Sequence, residues 1–287
     1  MKVFRLIIVS IFVPVIMLSS CELINPPEKI PSYIRIDTFK VEVNDFDMGS
    51  ASHMMTICYI SVGGSNLGVF EMPFTVPSLE TGMQTLTIRP GIKLNGIAAS
   101  RIDYPFFEPY IVDCELRAGE IHLIEPKTTY KQSCKFPWIV DFEDPGIELL
   151  YADYSDTVFI YQNIVLREGR YSGAIFLNKN QAVFEAYSSK DFDIPKNVSP
   201  VLLEFDYKNN NGFEIGMYLL EGGAAVWYNL VYIKPSPVWK RFYVDIGQTA
   251  TTHQSTELFR MGIRAFHEPE NTDAGEIYLD NIKLIHF

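Results

Sequence analysis

The sequence predicts an all-β protein organised as two consecutive sandwiches, and three features carry that prediction. Apolar residues alternate with polar ones in many short runs, as they do in half-buried strands. Gly-bearing loops of the hairpin kind separate the runs, and hardly a window repeats at the helical period. A chain of 287 residues is also long enough for two ordinary domains, each with a core of its own.

Residues 1–20 are not part of the predicted fold. Lys2 and Arg5 form a positive start, residues 6–18 make an apolar stretch of 13 residues, and Leu18-Ser19-Ser20-Cys21 follows. This is the layout of a signal peptide, too short in its apolar part to span a membrane as a helix. The tetrapeptide resembles the lipobox of bacterial lipoproteins, and the Pro-rich start behind it is similar to that of Bacteroidetes-type outer-membrane lipoproteins. The resemblance implies acylation of Cys21 and a lipid anchor in the outer membrane, on its periplasmic or its surface face. Several acyl chains on one residue hold firmly where a single chain binds only marginally.

Residues 21–32 contain three prolines between 22 and 32 and no apolar period, so they read as an extended tether. Lys2 and Arg5 are the only charges in residues 1–20; without them 22 basic residues face 35 acidic ones, and the net charge passes from −11 to −13. That balance excludes nucleic acid as a partner and leaves the lipid, not a basic surface, to supply membrane attachment.

Residues 33–131 form the first predicted sandwich. Its strands are YIRIDTFKVEV, MMTICYISV, LGVFEMPF, QTLTIRPGI, YIVDCEL and EIHLIEP, divided by loops at 63–66, 80–82 and 117–120. Their spacing is similar to that of immunoglobulin-like modules of surface proteins, which implies a small immunoglobulin-like sandwich. Cys58, Cys114 and Cys134 are an odd set, so at least one is unpaired within the chain. Cys58 and Cys114 stand in strand-like runs, where a small buried hydrophobe is the expected role. No Cys or His spacing suggests zinc.

The polar run 128–137 marks the boundary, and residues 137–287 form the second unit. It opens on a strand from Trp138 through Phe142-Glu143-Asp144. The runs TVFIYQNIVL, YSGAIFL, QAVFEAY, PVLLEFDY, FEIGMYLL, AVWYNLVYI, WKRFYVDI, LFRMGIRAF and EIYLDNIKLIHF follow, enough for a β-jelly-roll sandwich.

The order of these features resembles that of galactose-binding-like jelly rolls, among them many carbohydrate-binding modules: an opening strand with Phe142-Glu143-Asp144, the Gly-bearing turn 168–174, a strand starting at Trp239, and a last strand IYLDNIKL. The resemblance covers residues 137–287. It implies first and last strands side by side, with a structural calcium at their junction held by Glu143, Asp280 and carbonyls of the turn 167–172. Calcium takes six to eight oxygen ligands, which such a set suits. The alternative is that Asp280 and Asn281 satisfy backbone groups at a loop or a strand bulge.

A binding face follows from alternation. Phe259, Met261, Ile263 and Ala265 share one face of their strand, which places Arg260, Gly262 and Arg264 on the other. By the same rule Glu214, Gly216 and Tyr218 share a face, as do Glu204 and Asp206. Tyr218, Arg260 and Arg264, joined by Trp227, Tyr228 and Asn229, make the candidate glycan-binding set, because aromatic surfaces stack on sugar rings and planar charged groups take paired hydroxyls. The rival arrangement is a solvated face held by ion pairs such as Arg264 with Glu204.

Catalysis is not expected. Residues 204–209 approach the E-x-D-x-x-E strand of a jelly-roll glycosidase family, but Asn209 stands where the final Glu is needed, and an amide cannot protonate a leaving oxygen. The five histidines are scattered, and no HExxH or GxSxG is present. Asp156-Thr157-Val158 is similar to the tripeptide O-glycosylated in exported proteins of Bacteroidetes-type bacteria. The expected function is therefore glycan binding by a lipid-anchored protein, with a ligand-free accessory subunit of an outer-membrane protein complex as the alternative.

Overall fold

A computed structural model describes residues 28–43, 46–143, 149–268 and 274–287. The signal peptide, the lipobox and Cys21 lie outside the described residues, as does Asp144. No described helix is long and apolar enough to cross a membrane.

The first unit holds β1 (Ser32–Ile36), β2 (Lys40–Val41), β3 (Ile57–Val62), β4 (Ser65–Glu71), β5 (Phe74–Ser78), β6 (Gly82–Lys93), β7 (Arg101–Asp103), β8 (Tyr110–Leu116), β9 (Ile121–Ile124) and β10 (Lys127–Thr128). β5-β1-β9 form one sheet, and β4-β3-β6 form the other, with β7 and β8 both on β6. Alternation places Ile34, Ile36, Cys58, Ile60, Leu86 and Ile88 between the sheets, and β2 pairs with β10 at the side. Cys58, Cys114 and Cys134 are free thiols, and Cys58 is a buried apolar residue whose pKa burial pushes up to about 12.

The second unit contains β11 (Lys135–Val140), β12 (Leu149–Tyr151), β13 (Ile160–Gln162), β14 (Ser172–Leu177), β15 (Val183–Ser188), β16 (Val201–Asn209), β17 (Phe213–Glu221), β18 (Ala224–Ile233), β19 (Ser236–Asp245), α1 (Gly247–Thr252), β20 (Leu258–Phe266) and β21 (Gly275–His286). Two sheets face each other: β13-β14-β21-β16-β19 with β11 also on β21, and β12-β15-β20-β17-β18. Phe184, Phe205, Phe213, Ile215, Met217, Phe259, Met261, Leu279 and Leu284 fill the space between them. The all-β class and the sandwich architecture agree with the sequence.

Three local departures have physical causes. β11 ends at Val140, and Phe142 takes a left-handed backbone (φ 61°), so Glu143 follows the opening strand and is not in it. α1 is a single short helix that no apolar period announces. In β21, Asn281 is left-handed (φ 50°), and the register against β16 slips by one residue between Glu204↔Lys283 and Asp206↔Asp280. That bulge lets Leu279, Ile282 and Leu284 face the core while Asp280 and Lys283 face the other way. The polar interruption in LDNIKL is a strand bulge.

The two units share a buried boundary. Leu202, Tyr243 and Ile285 of the second unit belong to the apolar core of the first. Asn95 Oδ1 accepts from the Asp245 amide at 2.9 Å, and the Phe242 ring lies against Gly96. β16 is consequently buried on both faces.

Candidate functional site

The outer face of β15, β20, β17 and β18 carries three rows of paired residues. One row is Arg260, Tyr218, Trp227; the next is Tyr187, Gly262, Gly216, Asn229; the third is Glu185, Arg264, Glu214, Tyr232. The two glycines are needed for one reason. A Cβ on Gly216 or Gly262 would come within 2.4 or 2.5 Å of the Trp227 ring, which lies directly on them. The Arg264 guanidinium sits over the same ring, 4.2 Å from its centroid.

Glu185 organises this face from below. Its carboxylate is fully buried and accepts from Arg264 Nε, Tyr154 Oη and Tyr218 Oη. Burial alone would raise the Glu185 pKa, but Arg264 and the two hydroxyls offset it and hold the group below its usual value. Burial, followed by the bond to Glu185, raises the Tyr218 hydroxyl well above the usual range. Arg260 binds Asp191 with two nitrogens, at 2.7 and 3.2 Å, and lies over Tyr187 at 5.1 Å. Tyr187, Tyr218 and Trp227 meet edge to face at 5.6 and 5.4 Å.

Of the expected ligand-binding residues, Tyr218, Trp227, Arg260 and Arg264 come together, and Asn229 is exposed on the same face. Tyr228 does not join them. It pairs with core-facing Met217, so it points to the opposite side of β18, where its ring meets His253 at 4.9 Å. Glu185, Tyr187, Tyr154 and Asp191 escaped the sequence reading. Glu185 and Tyr187 had a signal, since they alternate with buried Phe184 and Ala186; Tyr154 and Asp191 lie in loops and had none. Thr157 of the glycosylation-like tripeptide is almost buried, and Asp156 accepts the amides of Ala182 and Val183, both at 3.0 Å, so this segment has a structural task.

Glu204 and Asp206 stand elsewhere. They face the first unit from β16, and Arg241 of β19 binds both, Nη2 to Glu204 at 2.9 Å and Nη1 to Asp206 at 3.0 Å, with all three side chains at most 2% exposed. The expected pair of Arg264 with Glu204 is therefore replaced by Arg264 with Glu185 and Arg241 with Glu204. Tyr104 donates to Glu204, and Lys283 donates to Tyr130 Oη at 3.0 Å and to the Ser50 carbonyl at 3.2 Å. Burial, then Arg241, pushes the Lys283 pKa down to about 7. Asn209 Oδ1 accepts the Ser236 amide at 2.9 Å, and its Nδ2 donates to the Asn211 carbonyl at 2.8 Å.

Glu143 and Asp280 lean on one turn from two sides. Glu143 Oε1 accepts the amides of Arg170 at 2.7 Å and Tyr171 at 3.0 Å, and Oε2 accepts Arg170 Nε at 3.2 Å. Asp280 Oδ1 accepts the Asn281 amide at 2.9 Å, and the Glu168 amide approaches the same carboxylate. Asp280 Oδ2 has no hydrogen-bond partner among the described residues; neither has Oδ1 of the paired Asp206, although Arg167 Nε forms an ion pair with it at 3.5 Å. Burial, then Asp206 and Glu168, pushes the Asp280 pKa up to about 8.

No protein-family model matches the sequence, and no curated protein matches it. Solved structures are similar over about half of the chain. The xylan-binding domain from carbohydrate-binding module family 22 aligns over 52% of this chain and 93% of its own, at 11% identity and a TM-score of 0.37. A family 11 module from Clostridium thermocellum in complex with a mixed-linked tetrasaccharide aligns over 51% and 93%, at 10% identity and 0.36. A family 30 module of a Clostridium thermocellum cellulosomal cellulase aligns over 51% and 89%, at 13% identity and 0.36. Likenesses of this size bear on neither the ligand nor the activity of this chain.

Proposed function

We propose that this chain is a non-catalytic cell-envelope lipoprotein, held in the outer membrane through Cys21, that binds glycan on the face built by β15, β20, β17 and β18. The observation that supports the reading is the Tyr218, Trp227, Arg260 and Arg264 group, whose rings and guanidinium planes are already fixed by Glu185, Asp191 and the two glycines. Sugar hydroxyls suit the donor edges of planar guanidinium groups and the exposed Asn229 amide, while the indole, lying on the two glycines and under Arg264, holds that guanidinium in place. Side chains locked before binding spare the ligand the cost of ordering them. The absence of catalysis is supported by the carboxylates themselves: Glu204 and Asp206 are tied to Arg241, and Glu185 to Arg264.

The calcium expectation is part of the same proposal. Asp280 Oδ2 is buried without a hydrogen-bond partner among the described residues, which suits a hard cation, while Glu143 is already occupied by turn amides and Asp206 by Arg241 and Arg167. Asp280, with carbonyls of the turn 167–172, would hold the ion; bound there, it would neutralise buried carboxylate charge and tie β21 to the turn.

Screening the full-length protein in detergent against immobilised glycans tests the function. Binding that disappears in both Tyr218→Ala and Arg264→Ala supports it. If no glycan binds and the protein is recovered with an outer-membrane protein, the accessory-subunit reading replaces it.

A further inference from the structure

The end of the first unit farthest from the glycan face carries an apolar group that sugar binding does not use. β6 starts there at Gly82 and runs twelve residues to the 94–96 turn that packs on β19, a span of roughly 36 Å. The chain enters the fold at the same end. The Gly119 amide donates to Pro31 at 2.8 Å, the Tyr33 amide to Glu120 at 2.9 Å, and Ser32 Oγ to the carbonyls of Ser78 and Glu80 at 3.2 and 3.0 Å. Around this entrance Ile30, Leu79, Met83 and Ile121 are 66%, 60%, 70% and 63% exposed. Their chain segments converge at this end: Ile30 touches the position of a Gly119 Cβ, Leu79 lies between Ser78 and Glu80, whose carbonyls accept from Ser32, Gly82 pairs with Leu116 beside Met83, and Ile121 pairs with Tyr33.

Isolated exposed apolar residues need no explanation, but four large ones gathered at one pole do. The sequence upstream supplies the occupant. Cys21, the acylated residue of the lipoprotein reading, precedes Ile30 by nine residues, a reach of roughly 30 Å at most. We infer that this pole rests on the lipid bilayer, with Ile30, Leu79, Met83 and Ile121 seated among the headgroups. The inference rests on the lipoprotein reading and goes beyond it, since a tether alone leaves the body free to tumble.

The chemistry around the pole suits an uncharged surface. Arg117 is held by Glu115 at 2.8 Å and lies 3.9 Å from Glu120, and exposed Lys29 stands beside exposed Glu28, so among the described residues around this pole basic and acidic groups are mixed. Apolar side chains leaving water supply the attraction, and anionic lipid is not required. The consequence is orientation. The first unit covers the outer face of the sheet containing β16, β19 and β21, so seating its far pole turns the outer face of the opposite sheet away from the membrane.

The test uses the full-length acylated protein, carrying Cys114→Ser and Cys134→Ser, in phosphatidylcholine vesicles with a quencher in the upper acyl region. An environment-sensitive dye is placed at Thr81→Cys or, separately, at Ala224→Cys on β18. Quenching at position 81 without quenching at 224, lost on Leu79→Glu with Met83→Glu while the protein still floats with the vesicles, is the expected result. Quenching at neither site in a protein that floats overturns the seating and leaves the lipid anchor standing. Quenching that survives the double substitution overturns the role of the apolar pole. A protein that does not float overturns both the seating and the anchor, whereas glycan binding by the same preparation is read separately.

Discussion

Asp280→Asn removes one titratable proton from the middle of β21 and keeps the shape of the side chain. The wild-type carboxyl has a pKa near 8 in the folded chain against an ordinary value of 3.8, because it is buried beside Asp206 and Glu168. A raised folded pKa adds stability that is complete below the unfolded value and is lost as pH rises through the folded one. Between pH 5 and pH 8 the wild type therefore loses about 4 kcal/mol through this group, and the Asn variant loses none of it. With a urea slope of about 3 kcal/mol per molar, the gap between the two unfolding midpoints shifts by about 1 M over that range. Lys283, whose pKa near 7 acts in the opposite direction above neutrality, is present in both proteins and largely cancels. Urea titrations of both proteins in EDTA at pH 5, 6, 7 and 8 measure the gap. Parallel midpoints across the series would refute the placement of a protonated carboxyl at position 280.

Other outcomes follow from the same geometry. If calcium is held at Asp280, EDTA lowers the wild-type melting temperature and has no effect on Asp280→Ala; an unchanged wild-type melt rules the ion out. Arg241→Met strands Glu204 and Asp206 without their cation, and equilibrium unfolding at pH 7 should show a loss of about 3–5 kcal/mol. Gly262→Ala places a methyl 2.5 Å from Trp227, so indole fluorescence should change and glycan binding should fall while the fold persists. An unchanged spectrum with full binding would show that the ring does not lie on the glycine row.

The sequence revealed the face of β20 well, because Phe259, Met261, Ile263 and Ala265 alternate without interruption and leave Arg260 and Arg264 together. It also pointed to Tyr218 through the parity of β17. It did not reveal that Glu204 and Asp206 belong to a different surface. Alternation assigns residues to opposite faces of a strand, but it cannot say that Tyr104 and Tyr130, from the other unit of the chain, will cover one of them. The assignment of Tyr228 failed for a related reason. β18 is apolar on both sides, and its parity is set by a register shift against β17 between Ile215 and Gly216, which only the pairing shows. The signal in LDNIKL was real, since Asp280-Asn281 marks a bulge in a strand beside β11, yet Glu143 lies past the end of that neighbour, beyond the left-handed Phe142.

The central claim is that a glycan is held on one face of β18 and not on the other, and two substitutions at adjacent positions separate the faces. Calorimetric titration of the full-length protein with a glycan selected by screening measures the affinity of Trp227→Ala and Tyr228→Ala beside the wild type. Loss of the indole removes the ring under Arg264 and should weaken binding by about tenfold or more, equivalent to about 1.4 kcal/mol, while Tyr228→Ala binds as the wild type does. Equal affinities for wild type and Trp227→Ala, or a loss confined to Tyr228→Ala, would contradict the account.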